Sequence, residues 1–170
     1  MSKTFLFDTS AFITPYQQFY PFDIAPPFWS QLYNKIAAGE ILVLDVVLAE
    51  LLKGDDDLAT WAKTITVDSL SRKSTDITEK YSDVLTYVQT CGFYQETALH
   101  SWSSAKVADA WLIAAAAARS LTIVSFEAGN AGLSSKTPSK EAKIPDVCHH
   151  FGVECIGLFE MMRRSGITLS

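Results

Sequence analysis

Cysteine is scarce in this sequence, with Cys91, Cys148 and Cys155 the three among 170 residues. An odd count without C-x-x-C spacing excludes a zinc or disulfide framework and fits a reduced compartment in which the thiols are packing residues. Long apolar runs are missing as well. The longest, Val107 to Ala118, contains Asp109 and falls short of the ~20 residues that a spanning helix needs. The N-terminus reaches Asp8 through the short run Phe5-Leu6-Phe7, without the apolar length or cleavage site of a secretory leader. A cytoplasmic protein with no membrane partner is the expectation. Glycine-rich phosphate loops and dinucleotide fingerprints are absent, and His100, His149 and His150 form no base-and-nucleophile set. Basic residues are in deficit, 14 Lys and Arg against 19 Asp and Glu, for a formal charge of −5. That argues against binding nucleic acid through a bulk positive field. A nuclease survives this test, because a carboxylate site adds negative charge that divalent cations neutralise.

Hydrophobic residues make up 48% of the chain and charged ones 19%, which is too apolar for disorder and suits one domain spanning residues 1–170. Four short apolar runs, Thr4–Phe7, Ile41–Leu44, Thr122–Ser125 and Val153–Ile156, read as buried strands. Helical patterns lie between them, and the alternation predicts an α/β fold with a mainly parallel sheet of four to five strands covered on both faces. One helix starts at Pro26-Pro27, carries Phe28, Trp29, Leu32 and Ile36, and stops at Gly39. A second follows Asp45 and carries Glu50 to Gly54. Asp55-Asp56-Asp57 reads as the acidic start of a third. Asp76 to Cys91 is amphipathic, a helix from about Ala105 to Arg119 has Ser103 or Ser104 as its cap, and Pro145 opens a short helix before a last one over Phe159, Met161 and Met162. The stretch from Ala128 to Lys143 has no periodicity and reads as a long loop, functional or mobile.

Four acids stand where such a fold presents ligand sites. Asp8 follows the first strand directly, with Thr9 and Ser10 beside it, and in open α/β sheets ligands bind outside the carboxyl ends of the strands. The alternative is that Asp8 caps a short helix starting at Ser10. Glu50 is the single charge between Asp45 and Lys53, on the helix after the second strand, and either snorkels to solvent or faces a polar pocket. Asp109 is the single charge among twelve residues of an otherwise apolar helix. Such a helix belongs in the interior, so its carboxylate must be neutralised, capped or matched to a cation. Glu127 follows the third strand. Hard divalent cations prefer carboxylate and water oxygens, activate water and offset charge on a transferring phosphate, which gives a cluster of four acids a definite use. Lys106 reads as a phosphate contact or as solvated surface, and Asp146 as a helix cap or a further acid of the site.

The motifs Phe7-Asp8-Thr9-Ser10-Ala11-Phe12-Ile13, Val47-Leu48-Ala49-Glu50-Leu51, Asp109 opening an Ala-rich helix, and Val124-Ser125-Phe126-Glu127 together resemble the PIN-domain family, many members of which are ribonuclease toxins of toxin–antitoxin pairs. The resemblance covers most of the chain. It implies a three-layer α/β/α fold and Mg²⁺- or Mn²⁺-dependent hydrolysis of RNA phosphodiesters. Asp8, Glu50, Asp109 and Glu127 take the metal-site positions, and Ser10 matches the hydroxyl that supports the first acid. RNA is then the substrate, with a cognate antitoxin protein and a homodimer as candidate partners. The sequence departs from the family pattern in having Glu127 where Asp is common, and in its extra length around Trp29, Gly54 to Asp56 and Trp61, which resembles a less characterised PIN-like subgroup. Two rivals differ in class. A phosphatase with Asp8 as nucleophile would need a second Asp two positions on, where Ser10 stands, and a silent binding module would have no need of four acids.

Overall fold

The computed structural model describes residues 3–170, the side chain of Val67 excepted, so Met1 and Ser2 of the N-terminal run lie outside the described residues. Three of the four apolar runs of the sequence become strands because both of their faces meet protein, and the fourth pairs at the half-buried edge of the sheet. Strand β1 (Phe5–Phe7) and strand β4 (Thr122–Val124) are buried at every residue, and β2 (Ile41–Leu44) at all but Leu42. This is the burial of a parallel sheet sandwiched between helices, and it explains why these runs do not alternate polar and apolar. Two-residue strands β3 (Ser69–Leu70) and β5 (Cys155–Ile156) complete a five-stranded parallel sheet in the order β3-β2-β1-β4-β5. The half-buried pair of β3 is too short to show a pattern. The fourth expected strand begins two residues late, because Val153 N–H bonds the Cys148 carbonyl at 2.9 Å and so still closes the preceding helix.

Nine α-helices connect the strands among the described residues. After β1 come α1 (Ser10–Thr14) and a π-helical turn, Pro15–Phe19. Helix α2 (Pro26–Ala37) starts on its prolines, buries Phe28, Trp29, Leu32 and Ile36, and ends before Gly39, which takes the left-handed φ of 76°. Helix α3 (Asp45–Leu52) follows β2. Asp56 caps α4 (Asp57–Ala62) by accepting the Ala59 N–H at 2.8 Å, so the acidic triplet serves a helix start. A 3₁₀ segment, Lys63–Asp68, leads into β3. Helix α5 (Thr75–Thr90) packs against α7 (Asp109–Arg119), and the Tyr81 and Trp111 rings stack at 3.7 Å between them. Helices α8 (Ile144–Phe151) and α9 (Leu158–Ser165) flank β5. Helices α5, α7 and α8 pack together as one group with the short helix Glu96–Trp102, and α2 with the 3₁₀ segment and α4 as another. With the sheet they make the three-layer α/β/α arrangement.

One helix boundary corrects the sequence reading. The helix expected from Ala105 begins at Asp109, because Glu96–Trp102 is a helix of its own, α6, anchored by buried Ala98 and Trp102. Ser103 closes α6 through its N–H to Leu99 O, and residues 104–107 turn, with Val107 N–H on Ser104 O at 3.1 Å, so neither serine caps α7. The stretch 128–143 has no helix or strand, as expected, and the irregular segment already begins at Ser125, but it is tied down. Ser139 bridges to Tyr94, and its backbone exchanges bonds with Phe93 and Gln95 at 2.8 and 2.7 Å. No described helix is long and apolar enough to cross a membrane. Cys91, Cys148 and Cys155 are free thiols, and Cys148 is buried in the core.

Candidate active site at the carboxyl edge of the sheet

The strand order places β1 beside both β2 and β4, so the chain winds outward one way from β1 and then returns to its other side. The crevice between β1 and β4 is the point where the winding reverses, the usual ligand position in an open parallel sheet. Asp8 and Ser125 stand on either side of it, each the first residue after its strand.

Asp8 is buried, and two hydroxyls hold one of its oxygens. Ser10 Oγ donates to Asp8 Oδ2 at 2.7 Å and Ser125 Oγ donates to the same oxygen at 2.8 Å. A hydroxyl has one proton to give. Both protons are spent on Asp8, so the 3.3 Å approach of Ser10 Oγ to Ser125 Oγ is a contact between acceptors. Each hydroxyl in turn accepts a backbone N–H, Phe126 on Ser10 and Glu127 on Ser125, both at 3.0 Å. The carboxylate is thus fixed by two elements that are far apart in sequence. The helix-capping alternative for Asp8 fails, because α1 has no side-chain cap bond and the Ala11 N–H goes to the Asp8 carbonyl.

Glu50 projects from α3 toward the same edge, accepting the Thr9 hydroxyl. Burial raises its pKa, the Thr9 bond opposes this, and the charge of Asp8 raises it further. Glu127 is half-buried and its pKa is raised by burial. Its Oε2 accepts the Ile144 N–H at 2.7 Å, capping α8, and Lys143 Nζ lies 3.6 Å from its other oxygen. Asp109, the first residue of α7, has no side-chain hydrogen bond or ion pair among the described residues, and its pKa is pushed up to about 7. Burial is the largest cause, followed by the charges of Asp8, Glu127 and Glu50. Four acids from four segments therefore feel one another at one edge of the sheet.

Two clefts hold three of these acids. One, of about 170 Å³, contains Asp109 and Glu127 with Lys140 and Lys143 on its rim. The other, of about 280 Å³, contains Glu50 with Lys53, Arg72 and Lys106. Lys106 lies in the turn before α7 rather than on the helix, and its exposed side chain belongs to the Glu50 cleft. Asp146 is neither a cap nor a member of the acid cluster. It sits inside α8, whose N-cap is Lys143, and its Oδ2 accepts the Asn130 N–H at 2.8 Å. Among the described residues, no three acidic, histidine or cysteine side chains converge as a closed metal-ligand set. The donor chemistry still suits a hard cation. Among the described residues Asp8 Oδ1 and both Asp109 oxygens carry no hydrogen bond, and Mg²⁺ is usually held by one or two carboxylates with waters and substrate oxygens filling its shell.

Ser125, Thr9 and Lys143 contribute more than the sequence reading assigned to them. Ser125 looked like the last residue of a strand. Its contact with Asp8 depends on β1 and β4 being neighbours, which a single sequence does not show.

Fold and site together define a three-layer parallel α/β protein with an acidic cluster at its switch point. The chain belongs to the family described as Domain of unknown function (DUF4411), whose pattern it matches over residues 5–169. No curated protein matches it.

Proposed function

We propose that the protein is a Mg²⁺- or Mn²⁺-dependent endoribonuclease with a PIN-like active site, and that it acts as the toxin of a toxin–antitoxin pair, the setting its resemblance to the PIN-domain family implies. The observation that carries the catalytic reading is Asp109, a carboxylate enclosed beside three other acids that has no ion pair or hydrogen bond among the described residues, the charge of Lys143 offsetting theirs only in part. Holding such a group charged costs folding free energy, and a site built this way is relieved by binding a cation. Asp8 and Asp109 would hold the ion, with Glu50 completing the acidic wall. A bound Mg²⁺ or Mn²⁺ would supply an activated water and offset charge on the phosphate being cut.

The remaining groups position the parts. Ser10 and Ser125 aim Asp8 and leave its Oδ1 open. Glu127 is committed on one side to α8 and balanced by Lys143, so it shapes the cleft more than it ligates. Lys53, Arg72 and Lys106 form no ion pair among the described residues and line the cleft of Glu50, where they would receive backbone phosphates. An overall charge of −5 does not prevent this, because binding depends on these local cations and on the ion.

Incubation with RNA and Mn²⁺ tests the reading, with the Asp8→Asn/Asp109→Asn protein as control. Cleavage by the wild type alone is expected. Because Asp109 must lose its proton to hold a cation, Mn²⁺ should also raise the melting temperature more at pH 8 than at pH 5. Identical behaviour of the two proteins in both assays would leave the acids without a catalytic role.

A further inference from the structure

Three aromatic rings stand beside the acids without serving the metal-site chemistry. Phe19 ends the π-helical turn that β1 feeds through α1, Phe126 is the second residue after β4, and Phe159 lies in the first turn of α9, which follows β5. All three issue from the carboxyl edge of the sheet, as the acids do. The Phe19 and Phe126 rings stack with centroids 6.0 Å apart and 19° between planes, and Phe159 meets Phe19 edge-on at 5.4 Å. Phe19 is 43% exposed and Phe159 39%, so the cluster turns apolar ring surface to water that burial elsewhere in the fold would have removed.

The cluster is also coupled to the acid cluster. The Phe126 N–H donates to Ser10 Oγ, and the same hydroxyl donates to Asp8. One side chain therefore sets both the carboxylate and the backbone that carries the ring, and the next residue, Glu127, borders the cleft of Asp109. A polynucleotide with a phosphodiester at the acids must carry its neighbouring bases past this edge. Bases have apolar π-faces that stack on aromatic side chains with little regard for sequence.

We propose that Phe19, Phe126 and Phe159 form a stacking platform for an unpaired nucleobase next to the phosphodiester to be cut. The platform rests on the nuclease reading for its orientation, but binding can be measured without cleavage. The probe is a short fluorescein-labelled oligoadenylate in EDTA, followed by anisotropy, with an abasic oligomer of the same length as comparison. Phe19→Ala and Phe159→Ala should each weaken oligoadenylate binding on the order of tenfold, since stacking on an aromatic ring is worth roughly that much per base. Phe19→Tyr and Phe159→Trp should restore it, and the abasic oligomer should bind every variant alike. If the alanine variants melt early, Phe19→Leu and Phe159→Leu keep the packing and remove only the π-face, and the same loss is expected. Unchanged affinity in these variants, or an abasic oligomer bound as well as oligoadenylate, overturns the proposal. So does self-association of the wild type that the variants lose while their RNA affinity is unchanged, because the rings would then be an interface between copies. In Mn²⁺, cleavage with a KM raised by these substitutions and an unaltered kcat supports both readings. Absence of cleavage by any variant, with the binding difference intact, defeats the nuclease reading and supports the platform.

Discussion

Replacing Asp109 by asparagine should stabilise the metal-free protein above neutral pH. In the folded chain the Asp109 carboxyl is pushed from 3.8 up to about 7, by burial and by the neighbouring acids. Between those values the folded state keeps a proton that the unfolded state has released, so stability falls as pH rises through the interval. At about 1.36 kcal/mol per pH unit, the full interval is worth roughly 4 kcal/mol. Asp109 retains part of its solvent exposure, and screening reduces the figure to about 2 kcal/mol. Asparagine keeps the shape without the charge. In EDTA, Asp109→Asn should melt with the wild type below about pH 4, where both states of the wild type keep the proton, and about 4 to 8 °C above it at pH 8, the shift that 2 kcal/mol produces in a domain of this size. Mn²⁺ should then narrow or reverse the gap at pH 8 by stabilising the wild type alone. A melting difference independent of pH, or an Asp109→Asn protein less stable at pH 8, would refute the placement of an uncompensated charge at this position.

Removing either hydroxyl beside Asp8 should cost both stability and activity. Ser125→Ala strands the Glu127 N–H, and Ser10→Ala the Phe126 N–H, so each should lose about 1–3 kcal/mol in chemical denaturation, with cleavage falling further than the folded fraction explains. At Gly129 a Cβ would come within 2.6 Å of Asp146 Oδ1. Gly129→Ala should therefore displace that carboxylate and cost about 1 kcal/mol, the worth of its bond to Asn130 N–H, and Asp146→Ala should speed amide exchange at Asn130, whose N–H it frees. Alanine at Lys53, Arg72 or Lys106 should lower the slope of log affinity against log salt for single-stranded RNA by about 0.7 for each phosphate left without its cation. An unchanged slope in all three would remove the phosphate role from that cleft.

The acids were legible in the sequence for different reasons. Asp109 stood out because an ionisable group in an apolar helix must be accounted for; its position as the first residue of α7 favours the charge through the helix dipole, and the raised pKa shows that burial and the neighbouring acids outweigh that. Asp8 was legible from its place after a strand, although the bonds from Ser10 and Ser125 that hold it were not, since they depend on which strands are neighbours. Strands β1, β2 and β4 showed themselves as unbroken apolar runs, whereas β3 and α6 bury too few residues to leave a period. The late start of α7 was missed for the same reason. Its predicted caps, Ser103 and Ser104, belong to the end of α6, and nothing local separates a serine that closes one helix from a serine that opens the next. Glu127 showed its position but not its engagement, because the Ile144 N–H it caps lies across a long loop.

The most direct test of the central claim is a comparison of RNA cleavage in Mn²⁺ by the wild type, Asp8→Asn and Asp109→Asn, with the chemistry of the product ends determined. An ion held by these acids delivers water to the phosphate, so the account predicts linear phosphate ends, formed by the wild type, abolished by EDTA and lost in both variants. Cleavage that persists in EDTA or in the variants, or products that end in 2′,3′-cyclic phosphate, would contradict it.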